Sequence, residues 1–189
     1  MTKEREIELI LKSKENIEYF REVYEFYLPK IFGYCINRLP NRNIAEDITS
    51  KVFHDAVKQI DNYHPRDGIR FGAWLYRIAH NKIVDHIRKE SKRNHTELNE
   101  LIGSEEPNHE REVVVSEAQI RVANVMAKLA PRYQQVLSLR FYSELDISEI
   151  AEVMKLKENN VSVLLHRASK AFKQQFEKEY SESEISELL

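Results

Sequence analysis

The stretch RFGAWLYRIAHNKIVDHIRKESKR, residues 70–93, repeats its apolar side chains at the spacing of a helix. Phe71, Trp74, Leu75, Ile78, Ala79 and Ile83 stand three or four residues apart and so share one face. Arg77, Asn81, Asp85 and Arg88 recur at the same spacing on another. Seven basic residues (Arg70, Arg77, Lys82, Arg88, Lys89, Lys92, Arg93) against Asp85 and Glu90 leave an excess of about five positive charges. Cations, an amide and a carboxylate on one face are the chemistry that meets phosphates and base edges. A solvated face opposite a core face accounts for the charge as simply, so the rest of the chain has to decide between the two.

Working outward, 189 residues suffice for one domain or two small ones. Four glycines, five prolines and long helix-period patterns indicate an all-α chain. The net charge is only −2 although 32% of residues are charged, so any polyanion partner is announced by how charge is segregated and not by its sum. One cysteine, Cys35, rules out an internal disulfide and a cysteine-cluster metal site; its apolar surroundings make it a small core residue. The seven histidines lack ligand spacing, and there is no phosphate loop, nucleophile elbow or carboxylate pair. No metal, cofactor or enzymatic activity is expected. Without a signal peptide, lipidation motif or long apolar run, the chain is expected to be cytoplasmic, with no membrane insertion.

Upstream of 70–93, residues 1–15 predict a short helix with Ile7, Ile10 and Leu11 inward. Asn16 is a candidate N-cap for the next helix, whose core stripe runs from Tyr19 and Phe20 through Val23, Tyr27, Ile31 and Cys35 to Leu39. Pro29 within it predicts a kink or a break. After a turn at 40–43, Asn43 and Glu46 form a capping-box pattern for a helix running to about Ile60. Its buried face is Ile44, Ile48, Val52, Ala56 and Ile60, with Phe53 beside them. Glu46, Asp47, Lys51, Asp55 and Lys58 form an outer face that is either solvated or protein-docking. Residues 63–68, with Pro65 and Gly68, form a loop.

Downstream, residues 94–118 carry seven glutamates against Arg111, with Gly103, Ser104 and Pro107 interrupting them. This reads as an acidic linker, either a solubilising spacer or a polyanion that occupies a channel meant for nucleic acid. A second domain starts near Ser116 with a helix containing Ile120, Ala123, Ala127 and Ala130 beside Val122, Met126 and Leu129. Pro131 suits the first position of the next helix, which runs through Val136, Leu137, Leu139 and Phe141. Asp146-Ile147-Ser148-Glu149 is a second capping box, and a short break at 155–158 separates its helix from one bearing Val161, Leu164, Leu165, Ala168 and Phe172. Two helices joined this way make a helix-turn-helix, whose second helix enters the major groove. The acidic tail from Glu179 is expected to fray.

Two segments, FGAWLYRIAHNKIVDHIRK and LAPRYQQVLSLRFYSELDISEIAEVMKLKENNVSVLLHRASKAF, resemble bacterial sigma factors of the extracytoplasmic-function type. The first resembles the promoter-melting part of region 2 and the second the helix-turn-helix of region 4; the likeness spans about 7–176. It implies a region 2 domain at 1–93, a linker at 94–115, a region 4 domain at 116–178 and a tail at 179–189. Region 2 would bind core RNA polymerase through Glu46, Asp47, Lys51 and Phe53. It would recognise the −10 element of promoter DNA with the 62–69 loop and Arg70, Trp74, Arg77, Asn81, Lys82, Asp85, Arg88 and Lys89. Trp74 would either stack on a base or fill the core.

Region 4 would read the −35 element with Asn160, Ser162, Val163, His166, Arg167 and Lys170. An anti-sigma factor is the further partner that the resemblance implies. The chain departs from the family at Ser50-Lys51, where Gln-Glu is common, and at Lys157, where a serine usually caps the recognition helix; Asn159 is then the alternative cap. Val163 and Leu164 replace basic or polar residues, and either one touches a thymine methyl or both pack against protein. The expected function is that of a transcription initiation factor. An autonomous helix-turn-helix regulator and a sigma mimic that sequesters an anti-sigma factor are the alternatives.

Overall fold

Helix-period patterning becomes eight α-helices in the computed structural model, which describes residues 1–39, 41–97 and 117–180. They are α1 (Lys3–Glu15), α2 (Phe20–Ile36), α3 (Arg42–Lys58), α4 (Phe71–Glu97), α5 (Glu117–Lys128), α6 (Pro131–Leu137), α7 (Ile147–Met154) and α8 (Glu158–Glu179). No strand forms among the described residues. The helices group into two compact units, one built on α1–α4 and one on α5–α8. The acidic linker lies outside the described residues, except that 94–97 continue α4. The tail beyond Tyr180 lies outside them too.

In the first unit α2, α3 and α4 pack against one another around Val23, Tyr27, Ile31, Ala45, Val52, Ala56, Leu75, Ala79 and Ile83, all buried. Cys35 belongs to this core, and burial pushes its thiol pKa up to about 11, which keeps it unreactive at neutral pH. Three expectations change. Pro29 does not break α2, which runs unbroken to Ile36; a proline removes one amide donor, and packing on both neighbouring helices holds the chain through that gap. The cap of α3 is Asn41, not Asn43: its Oδ1 accepts from the Ile44 amide at 2.9 Å. The helix ends at Lys58, and Ile60 opens a 3₁₀ turn, Ile60–Asn62.

On α1 the inward face is Glu6, Leu9, Ile10 and Ser13, whereas Leu11 is exposed. Asn16 caps as expected, its Oδ1 taking the Glu18 amide at 2.9 Å in the 3₁₀ turn Ile17–Tyr19 that leads into α2.

The second unit closes over Val125, Leu129, Val136, Leu137, Leu139, Leu145, Ile150, Val161 and Ala168. The buried residue of α5 is therefore Val125, with Leu129 buried just past its end, while Ile120 and Ala127 of the helix and Ala130 after it are exposed. Pro131 takes the first position of α6. That helix stops at Leu137 and widens into a π-helical turn, Ser138–Tyr142, which turns Phe141 and Tyr142 out to solvent, so Phe141 does not continue the core stripe. Before α7 the expected capping box carries its back-reaching arm: the Glu149 carboxylate, itself buried, accepts from the Asp146 amide at 2.9 Å.

Candidate nucleic-acid interface

Between the 3₁₀ turn and α4 the backbone runs irregularly through 63–70. Its tip is a tight turn in which the Ile69 amide donates to the Arg66 carbonyl at 3.2 Å, and Gly68 supplies the required φ of +78°. At the loop's base the rings of Tyr63, Phe71 and Trp74 form a triangle with centroids 4.9–5.2 Å apart. Tyr63 is buried, and its phenol pKa is pushed up to about 12 by that burial and by the Glu6 carboxylate. Trp74 packs on Tyr63 and Phe71 and is only half-buried, so it does not simply fill the core.

The start of α4 has an unusual partner. The first amides of a helix lack intrahelical acceptors, and α4 has no acidic residue in its first turn. Glu6 of α1 supplies the missing carboxylate: it accepts from the amides of Phe71 at 3.1 Å and Gly72 at 3.2 Å, and from the Tyr27 hydroxyl. Gly72 is required there, because a Cβ would stand 2.5 Å from the Tyr27 hydroxyl. Burial raises the Glu6 carboxyl above its ordinary range, against the pull of these donors and of Arg70. The other end of α1 also reaches the loop, since the Lys14 ammonium donates to the carbonyls of Asp61 at 3.1 Å and Tyr63 at 2.7 Å. Neither Glu6 nor Lys14 was singled out from sequence. The available signal was a carboxylate on the stripe shared with Leu9, Ile10 and Ser13.

Along α4, Asn81, Asp85, Arg88 and Lys89 are exposed, and Arg77 is half-buried. Arg88 pairs with Asp85 at 3.1 Å, which orients its guanidinium along the face. Lys82 is drawn to α3, where it meets Asp55 at 2.5 Å and holds that carboxyl below the usual range. Arg70 closes the loop, near the Glu6 charge.

Turning to the second unit, α7 and α8 are joined by three residues, 155–157. Lys157 is the N-cap residue of α8 and makes no side-chain cap bond, so Asn159 does not cap; it lies inside the first turn. Asn160, Ser162, Val163, His166, Arg167 and Lys170 are all exposed on α8, opposite buried Val161 and Ala168. Val163 is exposed and does not pack into the core, while Leu164 is half-buried. The Ser162 hydroxyl donates to the Glu158 carbonyl at 3.1 Å.

A third feature is an open apolar groove of about 850 Å³ between α2 and α3, lined among others by Tyr24, Leu28, Phe32, Phe53 and Val57. Of the residues assigned to protein docking, Glu46 and Phe53 line it. Asp47 and Lys51 pair with each other at 2.5 Å and are not part of the lining; Ser50 and His54 are.

The family model described as Sigma-70 region 2 matches residues 23–93, and that described as Sigma-70, region 4, matches 119–172. The chain belongs to the sigma-70 family of RNA polymerase sigma factors, in its extracytoplasmic-function group.

Among the similar curated proteins, the sigma factor BldN of Streptomyces coelicolor is 30% identical over 87% of this chain and 63% of its own length. SigW of Bacillus subtilis is 28% identical over 86% of this chain and 91% of its own. The fold resembles the sigma factor RpoE in complex with the anti-sigma factor NepR from Bartonella quintana. That match has a TM-score of 0.69 and 17% identity, over 84% of this chain and 96% of the other. CnrH in complex with the cytosolic domain of CnrY also gives 0.69, with 18% identity over 93% and 99%. As a sigma factor the chain has a transcription initiation role, in a family of non-enzymatic transcription factors. Among the described residues no helix is long and apolar enough to cross a membrane.

Proposed function

We propose that this sigma factor binds core RNA polymerase, brings it to promoters and helps open them, with region 2 at 1–93 acting on the −10 element and region 4 at 116–178 reading the −35 element. The observation that carries the reading is the start of α4, where a half-buried tryptophan stands beside a loop and heads a face of arginine, asparagine and lysine. An unstacked base needs a π surface, with stacking contributing about 1–3 kcal/mol, and cations to hold its phosphates. The exposed face of α8 gives region 4 an asparagine, a hydroxyl, an apolar contact and cations for the major groove.

The groove between α2 and α3 supports docking of an apolar helical surface of the polymerase, with Glu46 and Phe53 in its lining. The acidic segment at 94–115 would run through a polymerase channel. An anti-sigma factor, the kind of partner named for the Bartonella quintana neighbour, would cover the same docking surfaces in the resting cell.

In vitro transcription with core polymerase on genomic fragments, followed by start-site mapping, tests the reading. Discrete starts sharing two upstream elements are expected. Absence of any promoter-dependent transcript overturns it in favour of a module that only sequesters an anti-sigma factor.

A further inference from the structure

We propose that α1 is the positioning element of the −10 loop, gripping its backbone at both ends. Lys14 holds the entry carbonyls of Asp61 and Tyr63, and Glu6 holds the exit amides of Phe71 and Gly72. This rests on the −10 reading above and adds to it a helix that lies before the region 2 match, which begins at residue 23.

The loop has little structure of its own beyond the turn at its tip, so its ends decide where it stands. Each grip is a charged side chain on backbone dipoles, the stronger class of hydrogen bond. Glu6 is 2% exposed, so its bonds are shielded from water. The helix carrying both grips is itself fixed, by Leu9 and Ile10 in the core and by the Arg5–Glu22 pair at 2.8 Å. Trp74 lies less than one turn beyond the Glu6 grip and touches Tyr63, whose carbonyl Lys14 holds. Two grips about 12 Å apart along one rigid rod thus set the spacing between Tyr63 and Trp74 before DNA arrives. Such preorganisation spares the loop its ordering entropy when a base binds.

Trp74 is the only tryptophan of the chain, so its fluorescence in the free full-length protein reports this site alone. Three variants test the proposal: Lys14→Met, which keeps the stem and loses the donor; Lys14→Arg, which keeps a donor; and Val52→Ala, which weakens the core at α3 and leaves α1 and both grips. Each is measured for acrylamide quenching of Trp74, for thermal midpoint, and, with core polymerase, for open-complex yield at the mapped promoter and protection of its −35 element. Lys14→Met is expected to raise quenching and to lower open-complex yield about fivefold to tenfold, with −35 protection unchanged. Lys14→Arg is expected to restore both. Val52→Ala is expected to lower the midpoint further than Lys14→Met while leaving quenching and yield, below that midpoint, at wild type.

Wild-type quenching and yield in Lys14→Met overturn the proposal. So does a Val52→Ala protein that reproduces both defects while folded, because the role is then generic stability. If wild-type holoenzyme opens no promoter, the −10 reading fails, and quenching alone decides whether α1 holds the loop.

Discussion

Glu6 shows how much one side chain settles. Its two oxygens take three donors, from Phe71, Gly72 and Tyr27, while Arg70 and Tyr63 are the other titratable groups that bear on it. Glu6→Gln places an amide donor against one of those donors, and leaving it unsatisfied costs about 1–3 kcal/mol. The pH dependence has a definite sign. Burial raises the folded-state pKa of Glu6 above its ordinary 4.5, so the folded protein holds this proton where the unfolded chain has released it. Its contribution to stability is fully present below about pH 4.5 and is lost as pH rises through the folded value. The stability gap between wild type and Glu6→Gln, read from urea midpoints, should therefore narrow between pH 4.5 and pH 7.5. Exposed carboxylates such as Glu8 and Glu22, held low by Arg5 and Lys12, are common to both proteins and cancel. A gap that widens with pH would remove Glu6 from the buried role given to it.

At the scale of elements, the end of α7 shows backbone strain in a defined place. Lys155 adopts φ of +53°, and the Leu156 amide donates to the Ala151 carbonyl at 2.9 Å, the six-residue closure of a Schellman motif. A lysine in the left-handed region is strained where glycine is not, by about 1–2 kcal/mol before the extra freedom of glycine in the unfolded chain is subtracted. Lys155→Gly should raise the stability of region 4 by about 0.5–1 kcal/mol in thermal or urea unfolding. A neutral or negative effect would mean that the lysine side chain makes compensating contacts.

The same elements show which features periodicity reveals. The apolar stripes of α3, α4 and α8 were legible because a 3.6-residue repeat needs no knowledge of what packs against it. The left-handed Lys155 was not, since glycine is the usual signal for that conformation. Asn41 and Asn43 are equivalent as local caps, and only the start of α3 at Arg42, with Asn41 extended, chooses between them. Pro29 was weighed by its local penalty, which neighbouring helices overrode. On the site, Trp74, Asn81, Arg88 and the exposed α8 residues follow from helical spacing. Glu6 and Lys14 act across more than 45 residues of sequence, and no local pattern encodes that.

For the molecule as a whole, the net charge of −2 conceals opposed charge blocks: about five excess cations in 70–93 and an acidic run after it. A protein so divided should bind DNA through one surface with a strong salt dependence while remaining nearly neutral overall. Each phosphate contact releases condensed counterions, so the logarithm of the binding constant falls with the logarithm of salt concentration by about 0.7 per contact on single strands and about 0.9 on duplex. Arg88 and Lys89 are adjacent, exposed and far from the aromatic triangle in sequence, which makes them phosphate contacts in the proposed reading and not base readers. Replacing both by alanine should therefore lower the salt slope of open-complex formation by about 1–2 and weaken binding by a similar factor at different promoters. Promoter preference should stay the same, because the loop, Trp74 and the α8 face remain. The measurement is a filter-binding or footprinting titration of holoenzyme across a salt series on two promoters. A slope unchanged by the double substitution would take the distal part of α4 out of the DNA interface, and a changed promoter ranking would assign these residues to base recognition.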